Sequence, residues 1–410
     1  MLNSIGDKGI NSSHRKNQDE VVIFTIVFQI TILASKNMIV TTLQAANNFN
    51  SLFNSLITVL MGILYIRCLV ATKFRIRIES LYIVLLSASF IIITYLFNQK
   101  LFEYQYVRSA FEIFLVYCIP LIFFIPIIKD TDRLLKYFYI AAYFMCITAI
   151  ICLFAIIAGA QTVRNYSMSY GKAAMIPCIF LISKAFKEDH ILDYILAFTC
   201  TVAIFVLGSR WPLLCIGAFL FYSITKKLYS NKKTFFPIIS VLFITVLLSY
   251  LNYTELLRAL SSTLSKIGIN SRTLTFLLND NLLFDSGRSD IHSTLLSKLY
   301  ESPILGLGAF GGNVAVGLSH HFILDTWANF GFIFGSIILI YSILLTFDRY
   351  WSFRSSSYGE LIMIYACMIW PKIMIGESFW SSDKYWMLIS LIILGRYLKT
   401  IRISKIKERE

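Results

Sequence analysis

The chain has 410 residues, 57% of them apolar, against roughly 45–50% in an ordinary soluble domain, and its mean hydropathy is +0.70. It carries 37 Lys and Arg against 23 Asp and Glu, a formal charge of +14, with the cations scattered over short loops. The composition excludes a soluble globular enzyme and the scatter excludes a nucleic-acid surface, leaving an integral membrane protein with basic loops against anionic lipid headgroups.

Residues 1–20 are mixed polar and show no cleavable-signal pattern, so the first apolar run reads as an uncleaved anchor. Twelve apolar runs follow, at 21–40, 52–70, 80–97, 109–127, 136–159, 168–186, 190–207, 211–226, 234–250, 321–346, 357–375 and 384–400. Each approaches the ~20 residues a helix needs to cross a bilayer core. The runs at 168–186, with Lys172 and Pro177, and at 211–226, which is short, depart most from the pattern. With both termini in the cytoplasm, most of the 37 Lys and Arg fall on that side, among them Lys73, Arg75, Arg77, Lys129 and the C-terminal set.

The layout predicted is therefore a cytoplasmic tail 1–20, nine transmembrane helices in 21–250, a periplasmic loop 251–320, three more helices in 321–400 and a basic tail 401–410. The fold class is all-α integral membrane protein, with about 12 transmembrane helices and one large periplasmic loop containing short amphipathic helices. No repeat relates the first six runs to the last six, which argues against a transporter such as a lipid-linked-glycan flippase. Cys68, Cys118, Cys146, Cys152, Cys178, Cys200, Cys215 and Cys367 all fall in apolar runs without metal or disulfide spacing and read as packing residues.

The long loop has helical signals of its own. Residues 254–268 space Leu256, Leu257, Leu260 and Leu264 at helical intervals, and Asp290 to Tyr300 places Ile291, Leu295, Leu296 and Leu299 on one face. Both stretches are expected to lie along the membrane surface and fold back over the bundle. Ser302-Pro303 ends the second, and Gly306, Gly308, Gly311 and Gly312 let the backbone turn tightly or approach a ligand.

Four positions could carry chemistry. Arg210, in LGSRWPLL, sits between two apolar runs; it is either a functional intramembrane charge or an interfacial Arg beside Trp211. Arg288, in DSGRSD, opens the second surface helix and either pairs with Asp285 or Asp290 or grips phosphate bidentately. Two such arginines converging would hold a pyrophosphate and stabilise its charge as it leaves. His320 and His321 stand where the loop meets the tenth run, suited to take a proton near neutral pH or merely to cap the helix. His321 and Asp325 share a helix face if the helix has begun by then, whereas His292 reads as structural. No metal pattern, P-loop or dinucleotide fingerprint occurs, so no cofactor is expected.

A GSR between two helices, a late exofacial GR followed by an amphipathic helix, then SPILGLGAFGG and SHHFILDTWANFG, together resemble the O-antigen polymerase and ligase superfamily. The family pattern is a GR, a helix, P-x-x-G-x-G, and H-N-x-x-L-(D/E) leading to G; the motifs cover about 205–215 and 285–335 of this chain. The resemblance implies a GT-C-like bundle of roughly a dozen helices in the bacterial inner membrane, acting at the periplasmic face without metal or nucleotide. It implies a donor glycan on undecaprenyl pyrophosphate held by Arg210 and Arg288, with His320 as general base; Asp290, Asp325, Gly306 and Gly308 are further candidates for substrate binding. His321 stands where the family has Asn, and by helix spacing it is the alternative base. A polymerase, working with a chain-length regulator protein, is favoured over a ligase to lipid A-core.

Overall fold

The computed structural model describes residues 3–43, 47–157, 168–207, 210–230, 253–266, 288–317, 321–373 and 378–407, together with Leu274 and Leu278. In chain order the helices are α1 (Asn3–Leu43), α2 (Asn47–Ala71), α3 (Ile78–Phe97), α4 (Gln105–Ile113), α5 (Ile119–Phe124), α6 (Thr131–Ile157), α7 (Met168–Glu188) and α8 (Ile191–Val206). They continue as α9 (Arg210–Ser230), α10 (Tyr253–Lys266), α11 (Arg288–Glu301), α12 (Gly311–Val316), α13 (Phe322–Phe353), α14 (Ser357–Ile369) and α15 (Asp383–Lys407). Among the described residues there is no strand.

Eleven of the twelve apolar runs fall on these helices; the run at 234–250 lies outside the described residues. Among the described residues six helical stretches are long and apolar enough to cross a membrane: Asn17–Val40, Leu52–Ala71, Ile78–Phe97, Gln105–Ile127, Thr131–Ile156 and Phe322–Phe353. Their outward faces explain themselves only in lipid. On α2, Leu52, Leu56, Val59, Ile63, Ile66 and Val70 are all exposed, and their alternating steps of four and three form one stripe. A soluble helix would bury that stripe, since exposed apolar area costs roughly 25 cal/mol per Å² in water. The chain is a polytopic α-helical membrane protein.

It divides into two compact units, one of Met1–Ile30, Leu52–Tyr137 and Gly287–Glu410, the other of Thr31–Ser51 and Phe138–Ser286. In the second unit, Phe138 stacks on Phe180 at 4.7 Å, and Tyr139 Oη lies 3.1 Å from Ser183 Oγ, joining α6 to α7. Lys184 Nζ donates to Tyr143 Oη (2.7 Å) and to the buried Asp193 (3.3 Å), which adds α8. All eight cysteines are buried and unbridged, and Cys200 Sγ lies 3.3 Å from Cys146 Sγ as a thiol pair.

In the first unit, the 105–127 span changes pitch halfway, through a π turn at Phe114–Cys118 just before Pro120. Proline has no N–H and clashes with an ordinary helical carbonyl, so the wider turn accommodates it. The expected amphipathic stretch at 290–300 is α11, whose buried Leu295 and Leu299 hold it to the bundle. Leu295 packs with Leu324 and Ala328 at the head of α13.

That head is a separate piece of helix. Gly331 adopts φ 78°, ψ 169°, so α13 breaks between Phe330 and Phe332. The amide and carbonyl groups freed near the break are taken by the glycine-rich segment: Phe332 N donates to Pro303 O (2.8 Å) and Leu307 N to Ala328 O (2.6 Å). Backbone at membrane depth has no water to fall back on, so a broken helix needs such a neighbour. A Cβ on Gly331 would overlap the Ile304 carbonyl, and the backbone there is in a region open only to glycine. Gly331→Ala is therefore expected to lower stability by about 2 kcal/mol or more, read as a fall in thermal midpoint in detergent. A midpoint equal to the parent's would mean the break is not required.

Candidate functional site

His321 is the last residue before α13 and has extended backbone (φ −147°, ψ 103°). Its Nδ1 accepts from Leu324 N at 3.2 Å, which is the N-cap bond of the helix. Helix begins at Phe322, so His321 and Asp325 do not share a helical face as the spacing alone suggested. Their contact is along the backbone, Asp325 N to His321 O at 2.9 Å. The imidazole instead meets His292 of α11, edge to face, with ring centroids 5.0 Å apart and planes at 89°.

Burial, and then the neighbouring His292, push His321 down to about 4. The ring is neutral at ordinary pH. Since Nδ1 accepts the cap bond, the ring proton sits on Nε2, which makes His321 a hydrogen-bond donor to any ligand and not a base. His320 lies outside the described residues.

His292 thus joins the site, a residue that sequence reasoning set aside. The signal was present: Arg288 and His292 are four apart on α11 and so occupy one helical face. The helix that presents His292 to His321 therefore places Arg288 one turn away on the same side. Asp290, two residues from each, is on a different face, exposed in the first turn of α11 where an acid suits the helix dipole.

Asp325 is fully buried and holds the chain together beneath the histidines. Its carboxylate accepts from Phe379 N (2.7 Å), Ser378 Oγ (3.0 Å) and Asn329 Nδ2 (3.3 Å). Asn329 in turn accepts from Trp380 Nε1 at 3.0 Å, and Ser378 Oγ also lies 3.0 Å from Asn313 Oδ1 on α12. This network fastens residues 378–380 and α12 to the head of α13. Asp325 and Asn329, four apart in an otherwise apolar run, were its readable trace.

The glycines serve the same assembly. A Cβ on Gly306 (φ 72°) would strike Gly331 N and Ala328 O, and one on Gly308 (φ 89°) would strike Thr94. Thr94 Oγ1 also accepts from Ala309 N at 2.9 Å. Close backbone packing accounts for Gly306 and Gly308 without a ligand. Arg210 is the first residue of α9, half-buried, and belongs to the second unit, whereas the histidines belong to the first. Pro212 sits in the first turn of α9, where its missing N–H costs nothing.

Among the described residues no three His, Cys, Asp or Glu side chains gather as a metal set. The chain matches no protein-family model, no curated protein and no solved structure.

Proposed function

We propose that the chain is a membrane glycosyltransferase of the bacterial inner membrane that polymerises a surface polysaccharide. It moves the growing glycan from undecaprenyl pyrophosphate onto a new lipid-linked repeat unit at the periplasmic face, within a GT-C-like fold of about 12 spans. The observation that carries the reading is α11 against the head of α13, which puts the His292–His321 contact one helical turn from Arg288.

That arrangement also accounts for the one departure from the family pattern. Where the pattern has Asn after the base, this chain has His321, and His321 caps α13. Asn is among the best capping residues, so the position asks for a cap acceptor and not for a proton acceptor. The base then falls to His320 by register.

In the reaction, the acceptor hydroxyl oxygen attacks the anomeric carbon while the bond from that carbon to the pyrophosphate oxygen breaks. The pyrophosphate leaves with the electron pair, and His320 takes the hydroxyl proton. Arg288 binds the leaving pyrophosphate, with His321 Nε2–H as a further donor.

The test is incubation of the purified protein with an undecaprenyl-pyrophosphate-linked repeat unit alone, followed by gel separation. A ladder of longer glycans is the expected product. Transfer that appears only when lipid A-core is added would make the chain a ligase, and neither product would remove the glycosyltransferase reading. Arg288→Lys is expected to lower the rate at least about tenfold although the charge is kept, because a lysine cannot grip phosphate bidentately. A normal rate would dismiss Arg288 from pyrophosphate binding.

A further inference from the structure

On the face where the short basic loops gather, the first unit contains a cavity of about 450 Å³. It is lined by Arg75, Arg77, Lys129, Thr72, Gln18 and Tyr397 among others. Its level in the bilayer follows from the spans around it. The stretches Asn17–Val40, Ile78–Phe97 and Thr131–Ile156 begin beside it, and Leu52–Ala71 and Gln105–Ile127 end beside it. Five apolar segments thus change to polar at one height, which is the hydrocarbon–water boundary.

The cavity is built to be cationic. Its one acid, Asp19, already accepts from Lys129 N (3.1 Å) and Asp130 N (3.3 Å). Arg77 is held in place: Nε donates to Pro126 O at 3.3 Å, and the guanidinium carbon lies 3.5 Å above the centre of the Tyr397 ring. Both contacts use the Nε edge and the π face, leaving the two Nη groups for a ligand. Among the described residues no carboxylate pairs with Arg75 or Arg77. The loop that carries them, Lys73 and Phe74, holds two successive non-glycine residues in left-handed conformation (φ 53° and 56°). They close α2, with Phe74 N donating to Leu69 O (2.9 Å) and Lys73 N to Val70 O (3.1 Å), which fixes the start of the loop.

We propose that this cavity binds the headgroup of an anionic phospholipid. A phosphate among Arg75, Arg77 and Lys129 satisfies the cationic lining. The helices on either side of the loop decide for a lipid over a free anion: Ile63, Ile66 and Val70 of α2 and Ile78, Leu81 and Leu85 of α3 are exposed apolar residues on the two spans that this loop joins. Acyl chains lie along them while the phosphate sits above, and the lipid ties the α2–α3 loop to Tyr397 of α15.

The experiment uses the full chain, stripped of lipid in neutral detergent, with bound lipid counted by native mass spectrometry. Phosphatidylglycerol is expected to bind and phosphatidylcholine not, with Arg75→Ala/Arg77→Gln weakening phosphatidylglycerol about tenfold. Arg75→Ala alone, at an exposed position, is expected to weaken it measurably without disturbing the fold, and Lys226→Ala in the second unit not at all. Equal binding of both lipids, or unchanged affinity in Arg75→Ala and in the double variant, overturns the site. Equal thermal protection by sodium phosphate would overturn the lipid in favour of a free-anion site.

Discussion

Replacing His320 by alanine is expected to abolish the glycan ladder, a loss of about 10²–10⁴ in rate, while His321→Asn keeps most of it. The pair is adjacent, so the contrast rests on the roles the helix start assigns to each. His321 Nδ1 accepts the Leu324 amide, and burial beside His292 holds the ring near 4, so it carries no titration near neutral pH. Asparagine supplies a cap acceptor in the same place. His321→Ala removes the cap and is expected to cost about 1 kcal/mol of stability, with a smaller loss of rate than His320→Ala.

The pH dependence separates the two as well. His321 has its folded value below its unfolded one, so its contribution to stability is full above about 6.5 and disappears as pH falls towards 4. An activity profile that falls between pH 7 and 6 therefore reports a histidine other than His321. If His321→Asn erased the ladder while His320→Ala left it, the assignment of base and cap would be reversed.

The bundle was legible because lipid imposes one pattern on every span. A run of apolar residues near 20 long is helical wherever it sits, and eleven runs meet helices. Length is where reading from composition falls short. α8 has 16 residues and α14 has 13, and at 1.5 Å per residue the latter covers about 20 Å of a core near 30 Å. Trp370-Pro371 closes α14 early, although the apolar run continues to 375.

The site was legible as a list of residues and not as an arrangement. The break at Gly331 depends on carbonyl and amide partners from 303–307, residues more than twenty positions away. Periodicity reports which face of a helix is buried, not where another segment interrupts it. For the same reason the four-residue spacing of His321 and Asp325 misled, since a helix that starts one residue later turns a facing pair into a cap and a buried clamp. His292 needed the packing of Leu295 on Leu324 to bring it to His321.

Asp325→Ala is expected to cost about 3–5 kcal/mol, close to the whole stability of many domains, and to appear as lost folded protein before any kinetic effect is measurable. Three donors converge on this carboxylate from two parts of the chain, and an ionised carboxylate, which only accepts, suits all three. Alanine would leave the Phe379 amide and one Asn329 N–H buried without an acceptor and the Ser378 hydroxyl with Asn313 Oδ1 alone. All three donors meet one oxygen of the carboxylate, so Asp325→Asn can keep that acceptor while its N–H₂ takes the place of the other oxygen, against Gly312, and its loss should be about half as large. Gly312 lies against the other carboxylate oxygen so closely that a Cβ would overlap it, so the carboxylate is tightly packed as well as bonded. The measurement is the thermal midpoint of each variant in detergent beside its glycan ladder. A clamp predicts that midpoint and activity fall together. An Asp325→Ala protein that melts like the parent but makes no ladder would move Asp325 from the scaffold into the chemistry, next to His320.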